Sequence, residues 1–257
     1  MNNELIQWPS AKWWNRTFSS YVGCSKCSPA CQNCWAEAWA KRFHQPFEPH
    51  KTNQTRLPRS GIVFMGPLTD LFGGFVEEAE LLGDTANAAR NSKSTAHYIW
   101  LTKRPENMKR VLEHWSGTLQ RPKVWFERNW WGFTAENQAM FDKRSKCANA
   151  FPDWANVWMS AEPLLEHIEL RGDICKRLKC VIVGCESGPN RRPCNIEWIE
   201  DIVNQCLALD IPVFVKQISI DNKCVTDITK FPKHLQIRQL PWAKGASNEV
   251  KTKGHRK

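Results

Sequence analysis

A chain of 257 residues with 42% hydrophobic side chains can bury a full core, either as one barrel-sized domain or as two small ones. Its formal net charge of +10, from 36 Lys and Arg against 26 Asp and Glu, calls for an anionic partner, most simply nucleic acid. No apolar run approaches the length that spans a bilayer, and nothing at the N-terminus resembles a signal peptide, so the composition favours a cytoplasmic chain with reduced thiols over a membrane protein or a disulfide-stapled secreted one.

Residues 1–22 carry Trp8, Trp13 and Trp14 and then a β-leaning run, Phe18 to Val22. Four of the eleven cysteines follow within eleven residues, Cys24, Cys27, Cys31 and Cys34. Cys27, Cys31 and Cys34 read C-x3-C-x2-C, and Cys24 in place of Cys27 gives C-x6-C-x2-C. Three thiolates on one short loop can hold three irons of a [4Fe-4S] cluster and leave the fourth open to a substrate. Structural zinc and buried or disulfide-linked thiols compete with that reading. Zinc ordinarily takes two spaced ligand pairs rather than one tight run. Ser28-Pro29-Ala30 favours a turn, and Asn33 fits the N-cap of a helix over 33–43 with Trp35, Ala38, Trp39 and Phe43 on one side. Residues 44–60 read as a polar loop.

From Ile62 onward short apolar runs alternate with helical or long connections. The runs are 62–65, 97–101, 124–133, 156–159, 180–183 and 211–215, with helices over roughly 75–91, 105–115 and 196–209. This rhythm predicts βα units and a parallel sheet of six to seven strands, closed fully or partly into an α/β barrel as a single domain over 1–242. Residues 243–257 read as a basic, disordered tail. Chemistry in βα barrels gathers where strands end. Those positions hold Asp70, Lys103 with Arg104, Glu136 with Asn137, Glu162, Glu186 with Ser187, and Lys216 with Gln217. One such charge is an ordinary surface residue, but six in register predict a polar pocket facing the cysteine loop. The fourteen tryptophans pack a core or offer rings on which bases stack.

The cysteine loop followed by βα units resembles the radical SAM superfamily. Within it, the chain is similar to a phage and bacterial family of undetermined function named after phage gene products. Trp14-Asn15 and Gly23 to Glu37 match that family's W-N…G-C-[ST]-K-x-S-P-x-C-x-N-C-[YW]-A-E pattern. Asp70 to Phe72, Leu101 to Glu106, Glu136 to Gln138, Ser160 to Leu165, Val181 to Pro189 and Phe214 to Gln217 match its later motifs. The family's usual trio corresponds to Cys24, Cys31 and Cys34, whereas the superfamily's common spacing is that of Cys27, Cys31 and Cys34. The shorter loop favours Cys27, with Cys24 as the alternative third ligand. Cys185 stands where a glycine is common, and Trp125, Trp130 and Trp131 enlarge the region before Glu136.

The resemblance implies a [4Fe-4S] cluster and S-adenosyl-L-methionine as cofactors, cleaved to a 5′-deoxyadenosyl radical that abstracts hydrogen from substrate. Lys103, Glu136 and Glu162 become the catalytic candidates. Trp35, Asp70, Arg104, Asn137, Glu186, Ser187 and Lys216 become candidates to bind the cosubstrate. An external electron donor such as flavodoxin is implied, and a host cytoplasm if the chain is phage-encoded. The basic balance favours a nucleic acid or nucleotide substrate, DNA first, and remodelling of a thymine-derived base similar in kind to spore photoproduct lyase chemistry. A zinc-stabilised nucleic-acid-binding module and a radical enzyme acting on a peptide or small metabolite are the other readings. Cys175, Cys180 and Cys185 are a candidate auxiliary metal site.

Overall fold

A computed structural model describes residues 7–90, 94–118, 123–188 and 190–243, the side chains of 85–90, 117–118 and 123–125 excepted. Seven strands run parallel in one sheet: β1 (Arg16–Phe18), β4 (Ile62–Met65), β5 (His97–Thr102), β6 (Asn129–Thr134), β7 (Asn156–Ala161), β8 (Leu178–Gly184) and β9 (Val213–Ile220). An eighth, β10 (Lys223–Val225), pairs antiparallel with β9. A separate ribbon joins β2 (Tyr21–Val22) to β3 (His50–Lys51). The helices are α1 (Trp35–Arg42), α2 (Glu78–Arg90), α3 (Pro105–Thr118), α4 (Lys123–Arg128), α5 (Gln138–Asn149), α6 (Ile174–Arg177) and α7 (Ile196–Ala208). The protein is thus a mixed α/β fold with a mostly parallel sheet.

Both faces of the sheet are covered, as the unbroken apolar runs require. All four residues of β4 and all six of β6 are buried. Val63, Trp100, Phe133, Met159, Val183 and Val215 point to the helical layer, where α7 lies against β8 and β9. Alternate residues form a second core on the other face, with Ile62, Trp130, Trp158 and Phe214 closed over by Trp13 and Trp242. Trp158 and Trp242 meet edge-on at 5.4 Å. Gly132 makes room there: a Cβ on it would lie 2.3 Å from the Trp158 ring. The first and last described segments meet beside β9, where Trp8 N donates to Arg238 O and Gln239 N to Val213 O.

Several local expectations need correction. The predicted strand over 124–133 begins only at Asn129, because Lys123–Arg128 forms α4. The run Phe18 to Val22 splits between β1 and β2, and the predicted loop 44–60 contains β3. Trp242 and Ala243 are buried, so Ala243 belongs with the core rather than the tail, and the rest of the predicted tail lies outside the described residues.

Candidate functional site: a clamped cysteine loop between two pockets

The cysteine loop leaves β2 at Gly23, whose φ of +80° and approach to the Glu48 carbonyl admit no side chain. Pro29–Cys31 then forms a single 3-10 turn, closed by Cys31 N donating to Ser28 O. Asn33 is not the N-cap of α1. Cys34 takes that place without a side-chain cap, and Asn33 Nδ2 donates instead to Glu186 Oε2 at 3.0 Å and to Asn190 O at 2.7 Å.

Three acids at strand ends hold this loop. Asp70 accepts from Thr102 Oγ1, Lys103 N and Arg104 Nη1, and Arg104 Nη2 reaches the carbonyl and hydroxyl of Ser25 at 2.8 Å each. Glu136, fully buried, pairs with Arg144 at 2.6 Å and accepts from Ala30 N at 3.4 Å. Burial raises its carboxyl, but Arg144 and Ser28 outweigh burial and hold it below the ordinary range. Glu186 pairs with Arg192, which also donates to Pro29 O at 3.0 Å. Arg192 and Asn33 together keep the Glu186 carboxyl low against burial. Each of these acids has its oxygens committed to protein donors, so they position the loop.

Two adjoining pockets remain. One faces Cys24, Cys27, Cys31 and Cys34 together. The other presents the rings of Trp13, Trp14, Trp35 and Phe64 beside the Glu162–Lys216 ion pair, which measures 2.8 Å. Cys34, Trp35, Lys103 and Thr134 line both. Thr134 Oγ1 is buried without a partner, and Lys103 has no acidic partner within ion-pair reach among the described residues. Of the predicted site residues, Trp35, Lys103, Glu162, Glu186, Ser187 and Lys216 meet in the aromatic pocket, and Asp70 and Arg104 stand beside the thiols. Glu136 and Asn137 face neither. Asn137 caps α5, accepting from Met140 N at 2.9 Å. Cys175, Cys180 and Cys185 do not converge on a metal site among the described residues: Cys185 lines the aromatic pocket, and Cys180 lies in the core among tryptophans. Sequence reasoning missed Arg144 and Arg192 as clamps, since nothing in a helical Arg or a loop Arg marks its partner, and it missed Trp13 and Phe64 as pocket walls.

Among the described residues no three His, Cys, Asp or Glu side chains are grouped so that one metal ion could bind them. A single zinc would need the thiols drawn together on one atom. A cubane places each thiolate on its own iron, so separated thiols lining one pocket fit that group better. The Cys31 thiol has the Ser28 hydroxyl as its hydrogen-bond partner at 3.9 Å. Cys24 Sγ turns toward Ser25 O at 3.5 Å. Among the described residues no helix is long and apolar enough to cross a membrane. No curated protein and no solved structure matches the chain. The family described as protein of unknown function (DUF5131) matches residues 9–241, nearly all of the described fold, and the chain belongs to that family.

Proposed function

We propose that the chain is a radical S-adenosyl-L-methionine enzyme of partial (β/α) barrel form, with a [4Fe-4S] cluster on Cys27, Cys31 and Cys34, acting on a base of nucleic acid. The observation that carries this reading is the shared wall: a pocket faced by four thiols opens beside an aromatic and polar pocket, with Cys34, Trp35 and Lys103 common to both. When bound, cluster and cosubstrate supply a 5′-deoxyadenosyl radical that takes a hydrogen atom from substrate.

The chain's own residues divide the remaining work. Trp13, Trp14, Trp35 and Phe64 offer flat apolar faces to an adenine or a substrate base and exclude water from it. Lys103, a cation without a carboxylate partner among the described residues, is placed to hold the cosubstrate carboxylate or a substrate phosphate. Glu162 and Lys216 form an ion pair at the pocket wall and offer a carboxylate and an ammonium to a substrate heteroatom. Thr134 and Ser187 add hydroxyls. Asp70, Glu136 and Glu186 act by fixing the loop through Arg104, Ala30 and Asn33. A thymine-derived base, DNA first, suits the net charge and the pocket's aromatic lining.

The test is anaerobic reconstitution. The expected product is brown protein that bleaches on reduction by an external donor such as flavodoxin, contains about four irons and four sulfides per chain, and forms 5′-deoxyadenosine. Label from a thymine-type oligonucleotide should appear in that nucleoside. A colourless, zinc-loaded protein overturns the radical reading in favour of a binding module, and turnover supported only by peptides or amino acids overturns the base substrate.

A further inference from the structure

Five large hydrophobic side chains stand exposed among the described residues, and the three aromatic ones lie together. Trp35, Trp39 and Phe43 are 45%, 41% and 50% exposed, spaced four residues apart along α1 and its C-cap. Such spacing puts them on one helix face, roughly 6 Å apart along the axis. Trp39 and Phe43 support each other at 4.9 Å with rings tilted by 46°. Exposed apolar surface of this kind costs solubility unless something covers it. The row begins at Trp35, which lines both pockets, so it runs outward from the site mouth.

Charge identifies what would cover it. Arg42 shares the ring face, Lys41 lines the adjoining hollow with Trp35, and neither has an acidic partner among the described residues. The Arg42 guanidinium sits 5.8 Å from the Phe43 ring centroid. The acid on this helix, Glu37, is already paired with Lys26 at 3.0 Å. An apolar partner protein would meet two uncompensated cations here. A second copy would bring two more against them, since the whole chain carries +10. A polyanion with flat apolar groups satisfies both features, as its phosphates meet the cations while its bases meet the rings. The ring spacing exceeds the 3.4 Å rise of stacked bases, so each ring suits a separate, unstacked base.

We infer that Trp39 and Phe43, with Lys41 and Arg42, form a stacking track for single-stranded nucleic acid that leads to the pocket at Trp35. This rests on the proposed nucleic-acid substrate but not on the radical chemistry. The probes are fluorescein-labelled single-stranded DNA and RNA of mixed sequence and the matching DNA duplex, titrated by fluorescence anisotropy with the full chain. W39A/F43A should weaken single-strand binding at least tenfold, on the order expected for two lost base stacks, whereas W39F/F43Y should retain it. K41Q/R42Q should flatten the dependence of log affinity on log salt by about 1.4 for two lost phosphate contacts. Iron content and 5′-deoxyadenosine formation are measured in the same variants. Undiminished binding by W39A/F43A overturns the track, as does duplex binding tighter than single-strand binding. So does sedimentation showing that W39A/F43A removes self-association, or binding of an acidic electron donor, while single-strand affinity stays unchanged. Loss of cluster chemistry with oligonucleotide binding intact would count against the radical reading alone.

Discussion

Arg104 spends one end of its guanidinium on Asp70, Nη1 to Oδ2 at 3.0 Å, and the other on the cysteine loop, Nη2 to Ser25. Both side chains are largely buried, 13% and 10% exposed, so the pair is not a solvated surface contact. A lysine would keep the charge but cannot hold both partners through a planar fork. R104K should therefore lower stability by about 1 to 3 kcal/mol, the cost of a buried donor or acceptor left unmade. It should also free the loop to cleavage by added protease. Urea midpoints and limited proteolysis check this, and a variant matching the unsubstituted chain in both would show that Arg104 does not hold the loop.

Gly132 is constrained by packing instead. Its backbone runs directly under the Trp158 indole, and a methyl group there would sit 2.3 Å from Cε2. Trp158 cannot swing away, since it is fully buried against Trp13 and Trp242. G132A should cost about 1 to 3 kcal/mol through overpacking, measured by chemical denaturation. An unchanged midpoint would mean that the tryptophan core repacks freely.

The same two regions show what the sequence makes legible. Strand positions followed from apolar runs such as Ile62 to Met65, because burial on both faces leaves a continuous signature. The acids at strand ends followed as well, since charges beside apolar runs are costly without partners. Their roles did not follow. Glu136 reads as a pocket acid until Arg144, eight residues on and one helical face away, is found at 2.6 Å. Asn33 reads as a helix cap by local rule, yet Glu186, distant in sequence, claims its amide. Local chemistry is written in local spacing, whereas the choice between two hydrogen-bond partners is made by the tertiary fold. The α4 helix was missed for a related reason, since Val124, Trp125 and Phe126 suit a strand by composition.

Two buried groups give stability an unusual pH profile. Burial and Arg128 push the His97 imidazole down to about 4, and its Nδ1 faces Trp130 Nε1 at 3.3 Å. With the folded value below the ordinary 6.5, its contribution is full above that pH and is lost as pH falls toward 4. Burial pushes the Asp84 carboxyl up to about 6, against the hydrogen bond from Ser20. Its contribution is present below the ordinary 3.8 and is lost as pH rises through 6. The two slopes oppose each other between pH 4 and 6, so stability should be nearly flat there. D84N removes one of them: it should gain about 3 kcal/mol at neutral pH, for a shift of about two units, and lose stability steadily on acidification from pH 6.5. Urea midpoints from pH 4 to 7 for both proteins test this, and parallel profiles would show that Asp84 does not titrate out of its ordinary range.

The choice between Cys24 and Cys27 has a structural handle and a decisive comparison. Cys27 and Cys31 flank the single 3-10 turn at Pro29–Cys31 and both line the thiol pocket. Cys24 instead turns its thiol toward its neighbour Ser25 O at 3.5 Å. Its backbone is also fixed, with Cys24 N donating to Phe47 O at 3.1 Å. Bringing its sulfur to Cys31 would require moving the segment that Gly23 anchors. Serine keeps nearly the same shape but is a poor iron ligand. C27S, C31S and C34S should each drop iron and sulfide well below the unsubstituted protein after anaerobic reconstitution, while C24S keeps both. Melting temperatures of the four metal-free variants should stay together, which separates ligand loss from misfolding. If C24S loses its iron and C27S keeps it, the longer spacing supplies the third ligand, and the loop must rearrange on binding by swinging Cys24 away from Ser25.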